Sequence, residues 1–218
     1  MHIDDFEGLG AMTVYIRTKI RYLYSFISNA VLRIGNDTLE VASWGDYYVN
    51  GVGGGTLDSI SGYTIEHSHP NEKQHLFKII IGHDETIQLA TFKDLVSVRI
   101  DGGSADHFNK TVGLMGTFGG KKLARDGKSI MEDEVAFGQE WQVLPQEDTL
   151  FVHPRPPGKC KLPSATIKEA RHLRSAASRE TAEKACAQQH TNKDAMEACV
   201  LDVMLTGDVD IAKAGGYN

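Results

Sequence analysis

The amino-acid sequence predicts a mainly β protein, an antiparallel β-sandwich of many short strands with a small C-terminal α-helical subdomain. The first observation is a series of short β-branched and aromatic segments between residues 12 and 143, separated by turn residues at intervals of about eight to twelve positions. The second is a proline-rich break at residues 154–158, after which the apolar residues follow a helical period. Many short strands on short connections favour two sheets packed face to face.

Strand-forming segments fill most of the region before the break. Residues 13–17 alternate well between the two faces of a strand, and residues 20–27 are rich in aromatic side chains. We predict hairpin turns at Gly35-Asn36-Asp37 and at Asn50-Gly51, because Gly and Asn accept positive φ. The remaining predicted strands are residues 30–34, 38–42, 47–49, 63–65, 76–81, 86–92 and 95–100.

The C-terminal part carries the signals of three helices. Ser164 and Ser178 are the predicted N-caps of helices that run to about residue 176 and about residue 189. A capping-box pattern at residues 191–194 begins a third helix, and Gly207 is its predicted C-terminal cap. The sequence therefore divides into a β-sandwich domain at 1–153, a proline-rich linker at 154–163 and a helical segment at 164–218.

Composition and charge argue against several classes of function. The chain has 218 residues and a formal net charge of −6, so it lacks the clustered positive charge of a nucleic-acid-binding protein. No apolar run approaches the roughly 18 residues of a membrane-spanning helix, so we expect no membrane insertion by this segment. No nucleophile elbow or convergent set of acid, base and nucleophile stands out, and we therefore expect a protein that is not an enzyme.

One motif is more specific than the overall pattern. Residues 112–118 read Val-Gly-Leu-Met-Gly-Thr-Phe, and residues 137–143 read Phe-Gly-Gln-Glu-Trp-Gln-Val. Together they resemble the core signature of the von Willebrand factor type D domain, in a divergent version with few cysteines. Val112 and Met115 stand where that family usually has cysteines, and Thr117 stands where it usually has Asn. The matching signature residues are Gly113, Leu114, Gly116, Phe118, Phe137 and Trp141.

This resemblance implies both a role and a compartment. It indicates a non-catalytic extracellular or cell-surface module of a larger surface or matrix protein, which serves assembly, adhesion or scaffold contacts. Its expected partners are other extracellular proteins or further domains of the same protein. The family's first strand, with its Gly-Asp-Pro-His element, has no counterpart before Met12, so we expect a piece of a longer protein. We also expect Phe137 and Trp141 to be buried against Leu114 and Phe118.

The helical segment resembles a reduced version of the C8 module, which often follows a type D domain. The matching residues are Ala185-Cys186 and the stretch 199–204, in which Met204 takes the place of the final cysteine. The resemblance implies a disulfide between Cys186 and Cys199, which lie on successive predicted helices in a geometry that is feasible but not ideal. Cys160 is then left to pair with a cysteine outside this chain.

The type D family binds calcium through oxygen side chains in the loop that follows its signature. Here Lys121 and Lys122 stand about where the family has paired aspartates, and two cations repel a divalent ion. We therefore expect no cofactor, with calcium as the open alternative. The remaining candidate ligands for calcium are Asp126, Glu132 and Asp133.

A rival function and two possible modification sites remain open. The rival is a secreted carbohydrate-binding β-sandwich domain that uses Trp44, Tyr47 and Tyr48 as an exposed sugar platform. Asn36 and Asn109 each begin an Asn-x-Ser/Thr sequon and are candidate glycosylation sites in an extracellular protein.

Several histidines gather around one predicted hairpin and invite a zinc interpretation. His67 and His69 share one face if their segment is a strand, and His75 and His83 follow them in the sequence. However, no third ligand stands at a diagnostic spacing, and residues 70–73 have the composition of an exposed loop. We therefore predict a solvated hairpin tip rather than a metal site.

Overall fold

The computed structural model describes residues 2–3, 11–21, 24–102, 108, 111–117, 120–144, 150–153, 177–189 and 193–214. The strands within these residues are β1 (His2–Ile3), β2 (Met12–Arg21), β3 (Tyr24–Ile34), β4 (Asp37–Ala42), β5 (Tyr47–Val49), β6 (Val52–Gly53), β7 (Ser59–Ile60), β8 (Tyr63–Asn71), β9 (Gln74–Ile80), β10 (Glu85–Phe92) and β11 (Leu95–Gly102). The α-helices are α1 (Glu134–Glu140), α2 (Arg179–Ala187) and α3 (Lys193–Thr206), and short 3-10 helices cover Ser43–Gly45 and Val209–Lys213.

The strands form two antiparallel sheets that pack face to face, as the sequence predicts. One sheet has the order β1-β2-β3-β4-β5-β6, and the other has the order β11-β10-β9-β8-β7. A single hydrophobic core joins the two sheets and includes Val14, Leu32, Leu39 and Val41 from the first sheet, and Ile65, Phe77, Ile79, Ile87 and Leu89 from the second. The protein is therefore mainly β, with its helices near the C-terminus. Among the described residues, no helix is both long enough and apolar enough to cross a bilayer.

The turn chemistry read from the sequence matches the structure at both predicted hairpins. Gly35 has φ of 56° in the β3–β4 turn, and Asn50 and Gly51 have φ of 51° and 80° in the β5–β6 turn. These backbone conformations are rare for other residues because a Cβ atom crowds the carbonyl oxygen. The residue types at these positions therefore determine the two turns.

The first hairpin differs from the prediction. The strand predicted at residues 20–27 is wrong, because β2 continues to Arg21 and β3 begins at Tyr24, directly opposite it. This stretch therefore holds the end of one strand and the start of the next. The sequence between them is Tyr22-Leu23, which has none of the Gly, Asn or Pro residues that mark a turn. A β-bulge between Arg17 and Thr18 also shifts the register of this pair.

The region after β11 does not continue the strand pattern, although the sequence predicts strands up to residue 143. Within residues 111–117 and 120–144 the chain forms an antiparallel bridge between Leu123 and Ile130, followed by helix α1. Asp133 caps this helix, since its Oδ1 accepts a hydrogen bond of 2.7 Å from the backbone N–H of Ala136. Among the described residues, this region therefore adds a bridge and a short helix rather than a further strand of the two sheets.

Residues 150–153 close onto the first sheet through a buried carboxylate. Glu40 on β4 is only 4% exposed, and its Oε2 accepts a hydrogen bond of 2.6 Å from the backbone N–H of Val152. Its Oε1 accepts a hydrogen bond of 2.9 Å from Asn29 Nδ2. The guanidinium of Arg17 lies 4.1 Å from the ring centre of Phe151. This segment is therefore held to the sandwich by both polar and aromatic contacts.

The C-terminal helices form a compact unit with its own apolar cluster. Ser178 caps α2 by accepting a hydrogen bond from the N–H of Thr181, and Gly207 follows α3 with φ of 70°. Cys186 and Cys199 are joined in a disulfide with Cα atoms 5.9 Å apart, so the predicted pairing is confirmed. The predicted helix at 164–176, the linker at 154–163 and Cys160 lie outside the described residues.

The helical unit packs against one end of the second sheet. Phe92 at the end of β10 belongs to the same buried cluster as Ala182, Cys186, Cys199, Val203 and Ile211. Lys93 Nζ lies 2.5 Å from Asp208 Oδ2, and Lys73 Nζ lies 2.8 Å from Asp210 Oδ2. Apolar contact therefore joins the two parts of the chain, and ion pairs of Lys73 and Lys93 with Asp208 and Asp210 help to orient them.

Candidate functional site

A hairpin of the second sheet brings three histidines together at one end of the sandwich core. Along β8, Tyr63 and Ile65 are buried, and His67 and His69 follow them at the same spacing of two residues, with His67 half-buried and His69 exposed. His75 lies on β9, where it shares the inward face with Phe77 and Ile79. The potential ligand atoms of the three imidazoles all lie within 4.8 Å of one another. We call His67, His69 and His75 the histidine cluster.

The rings of the histidine cluster contact one another and the aromatic edge of the core. Ring centres are 4.6 Å apart for His67 and His69, 4.3 Å for His69 and His75, and 5.8 Å for His67 and His75. Phe77 stacks on His67 at 4.2 Å, and Tyr47 meets the edge of the same ring at 5.6 Å. His67 and His75 are half-buried and His69 is exposed. The cluster therefore opens to solvent on the side of His69.

A loop of the first sheet covers the opposite side of the cluster. Gly45 has φ of 81°, and a Cβ atom built there would lie 2.3 Å from the imidazole ring of His75. The backbone of Ser43–Gly45 therefore lies directly against that ring, which only glycine allows. The β10–β11 turn holds the loop, because Trp44 N donates to the carbonyl oxygen of Lys93 at 2.7 Å and Trp44 Nε1 donates to Asp94 Oδ1 at 2.8 Å.

The electrostatics of the cluster favour the neutral form of His67 and His75. The pKa of His67 is lowered from its usual 6.5 by desolvation and by repulsion from His69 and His75. The pKa of His75 is lowered by desolvation and by His69, with partial opposition from the charge of Asp46. His67 Nε2 and His75 Nδ1 are buried and have no hydrogen-bond partner among the described residues. Neutral imidazole nitrogens with free lone pairs are the form that binds metal ions.

The prediction of a solvated hairpin tip is therefore wrong for His67 and His75. The sequence places a strand only at residues 63–65, whereas β8 extends to Asn71, with buried and exposed residues alternating as far as His67 and a register irregularity between Ser68 and Asn71. The signal that could have revealed this is the spacing by two of Tyr63, Ile65, His67 and His69. The third histidine of the cluster comes from the partner strand, so its spacing in sequence is not diagnostic. His83, also considered, is exposed before β10 and outside the cluster.

The three carboxylates considered for calcium have separate positions and other contacts. Asp126 accepts hydrogen bonds from the Ser129 hydroxyl and from the backbone N–H groups of Ser129 and Lys128, and these lower its pKa to about 2. Asp133 caps α1, and Glu132 is exposed. Across the part of the chain that the structure describes, these residues do not form a group of metal-ligand spacing.

The signature residues form a turn and a half-buried anchor. Gly113 and Gly116 have φ of 147° and 78°, and a Cβ atom on Gly116 would lie 3.0 Å from the carbonyl oxygen of Lys121. Phe137 is 5% exposed, so its expected burial is confirmed, whereas Trp141 is half-buried and Leu114 is 44% exposed. Phe118 lies outside the described residues.

Backbone contacts hold the second aromatic residue of the signature. Trp141 Nε1 donates a hydrogen bond of 2.9 Å to the carbonyl oxygen of Leu123, and the guanidinium of Arg125 lies 5.3 Å from its ring centre. Arg125 also donates to the carbonyl oxygens of Glu140 at 2.6 Å and Gln142 at 2.9 Å. Arg125 and Trp141 therefore join the bridge region to the end of α1.

The aromatic residues of the proposed sugar platform differ in exposure and in their contacts. Trp44 is 57% exposed, but Tyr47 packs against Phe77 and His67 and donates its hydroxyl to the carbonyl oxygen of Gly55. Tyr48 is half-buried, with its ring centre 6.3 Å from that of His153. Of the two sequon asparagines, Asn36 is exposed in the β3–β4 turn, and Asn109 lies outside the described residues.

Comparison with known proteins assigns no family. No protein-family model matches this chain, and no curated protein sequence matches it either. The likeness to type D domains therefore rests on the residues of the motif.

Proposed function

We propose that this chain is a non-catalytic extracellular module of a larger surface or matrix protein, and that it serves assembly, adhesion or scaffold contacts. The observation that carries the proposal is the disulfide between Cys186 and Cys199. Disulfides persist in oxidising compartments and are rare in the reducing cytosol. A disulfide in the C-terminal unit is thus consistent with a protein that folds in the secretory pathway.

The two-part architecture supports a role as a structural module. The apolar cluster around Phe92 and the ion pairs of Lys93 and Lys73 hold the helical unit against the second sheet. These contacts give the helical unit a fixed position on the sheet, which suits a structural module better than a free hinge would. The proposed partners are other extracellular proteins or further domains of the same protein. The type D-like signature points to the same role by resemblance.

The compartment is tested on intact cells of the source organism. Antibodies against the purified chain should label the surface or matrix without permeabilisation, and an antibody against a cytosolic protein serves as the control. Peptide mapping of the native protein under non-reducing conditions should recover the Cys186–Cys199 link. Labelling only after permeabilisation, together with free thiols at both cysteines, would refute the proposal.

The non-catalytic role and the binding specificity are tested with the purified chain. We expect no turnover of generic ester, glycoside or peptide substrates and no saturable signal on a glycan array. Hydrolysis that a single substitution abolishes would contradict the non-catalytic role. A specific glycan signal lost in Trp44→Ala would instead support the carbohydrate-binding alternative, since Trp44 is the exposed aromatic of that surface.

A further inference from the structure

We infer that the histidine cluster is a binding site for a divalent transition-metal ion such as Zn²⁺. This inference goes beyond the proposed function and does not depend on it. It rests on three observations: the convergence of three imidazoles, the buried nitrogens without hydrogen-bond partners, and the half-buried position of His67 and His75 at the edge of the core.

The spacing of the imidazoles suits a metal ion after small side-chain movements. Tetrahedral zinc with bonds of about 2.0–2.1 Å to nitrogen holds its ligand atoms roughly 3.3 Å apart. The ligand atoms of His67, His69 and His75 lie within 4.8 Å of one another without an ion. Rotation about the side-chain bonds closes a gap of this size, and the hairpin backbone can stay in place.

The hairpin backbone preorganises the three ligands. His67 pairs with Phe77, and His75 lies on β9 just beyond the Ser68–Leu76 pair. His69 lies in the register irregularity between Ser68 and Asn71, which leaves its ring centre 4.6 Å from that of His67 and 4.3 Å from that of His75. Ladder hydrogen bonds on both sides of β9 fix its position between β8 and β10. Little conformational freedom of the backbone has to be lost when an ion binds.

Protonation and hydrogen bonding also favour an ion. The lowered pKa values of His67 and His75 mean that protons compete weakly for their nitrogens near neutral pH. A buried imidazole nitrogen without a partner is destabilising, and most buried polar atoms in proteins are satisfied. A metal ion supplies the missing partner for His67 Nε2 and His75 Nδ1 at once.

The donor set selects the kind of ion. The cluster contains three imidazoles and no carboxylate or thiolate, which suits zinc, copper or nickel rather than calcium or magnesium. Within the described residues no fourth side chain joins the group, and His69 opens to solvent. This arrangement gives the ion three protein ligands and leaves one coordination position for water or an external donor.

The alternative is a purely structural cluster, in which the histidines pack as aromatic rings against Phe77 and Tyr47. Their stacking distances fit such packing as well. Packing alone, however, gives no reason for three polar rings where Ile or Phe would bury more apolar surface, and it leaves two nitrogens unsatisfied. The two interpretations differ in whether an ion binds with a defined stoichiometry.

Zinc titration of the full chain, purified without a histidine tag, tests the inference. Competition with a chromophoric chelator at about pH 7.5 should show one tight site per chain, and its affinity should fall as the pH is lowered because protons compete with the ion for imidazole nitrogens. His69→Gln removes the exposed ligand and should weaken binding at least about tenfold. His83→Gln is the matched control, because His83 is an exposed histidine outside the cluster.

Chemical modification of the unaltered chain provides a second, independent readout. Diethyl pyrocarbonate modifies imidazoles, so bound zinc should protect His67, His69 and His75 while the exposed His83 and His153 still react. Equal affinities of the His69→Gln and His83→Gln variants would overturn the inference. So would the absence of a tight site, or protection that extends equally to His83 and His153, since either result means that no built site exists in the cluster.

Discussion

Removal of the Cys186–Cys199 crosslink should destabilise the helical unit by about 3 kcal/mol and leave the β-sandwich intact. The two cysteines are 13 residues apart in sequence, and a crosslink that closes a loop of this length restricts the unfolded chain by roughly that amount. Both side chains are fully buried in the apolar cluster around Phe92, so alanine keeps an apolar atom at each position. A loss of about 3 kcal/mol corresponds to an approximately hundredfold rise in the unfolded fraction of this unit.

Hydrogen exchange followed by mass spectrometry measures this local effect. In the Cys186→Ala/Cys199→Ala variant, amides of α2 and α3 should exchange about a hundredfold faster, whereas amides of β3 and β9 should keep their protection. Cys160→Ala serves as the control variant because Cys160 is not part of the crosslink. Unchanged exchange in α2 and α3 would show that the loop-closure reasoning fails. An equal acceleration in β3 and β9 would show that the two parts unfold as a single unit.

Three further outcomes are expected. Glu40→Ala leaves Asn29 Nδ2 and the N–H of Val152 without this acceptor. The free energy of unfolding measured by urea denaturation should fall by about 2 kcal/mol, and a fall below about 0.5 kcal/mol would contradict a stabilising role for this carboxylate. Millimolar calcium should leave the melting temperature almost unchanged, because the candidate carboxylates do not converge; a large rise reversed by chelator would refute this. In metal-free protein, the free energy of unfolding should be highest above pH 6.5 and should decrease as the pH falls below it. The reason is that His67 and His75 have lower pKa values in the folded chain than in the unfolded chain, so the unfolded chain binds more protons. Urea midpoints that stay constant down to pH 5 would disprove this.

The features that the sequence determined by itself are those with a local cause. The positive φ values at Gly35 and Asn50 and the cap at Ser178 each depend on one or two side chains and their own backbone. The alternation of apolar residues gives the sandwich because each strand must bury one face. The pairing of Cys186 with Cys199 follows from the C8-like resemblance rather than from local pattern.

Strand ends and helix starts that lack a distinct local signal could not be predicted from the sequence. The β2–β3 hairpin reverses without a Gly, Asn or Pro residue, so the pattern at residues 20–27 looks like a single strand. Helix α1 is only seven residues long, too short for its apolar period to be recognised between segments that resemble strands. In both places the chain's contacts with the rest of the fold decide its conformation, and these contacts are not visible in a short window of sequence.

Only the tertiary structure brings the three residues of the histidine cluster together. Its members come from two strands, and their convergence depends on how far β8 extends, how it pairs with β9 and which face the other sheet covers. The sequence shows that His67 and His69 share a face if their segment is a strand, but not that this face points into the sandwich. Distances between residues on different strands depend on register and sheet packing, because these bring together side chains that the chain itself keeps apart.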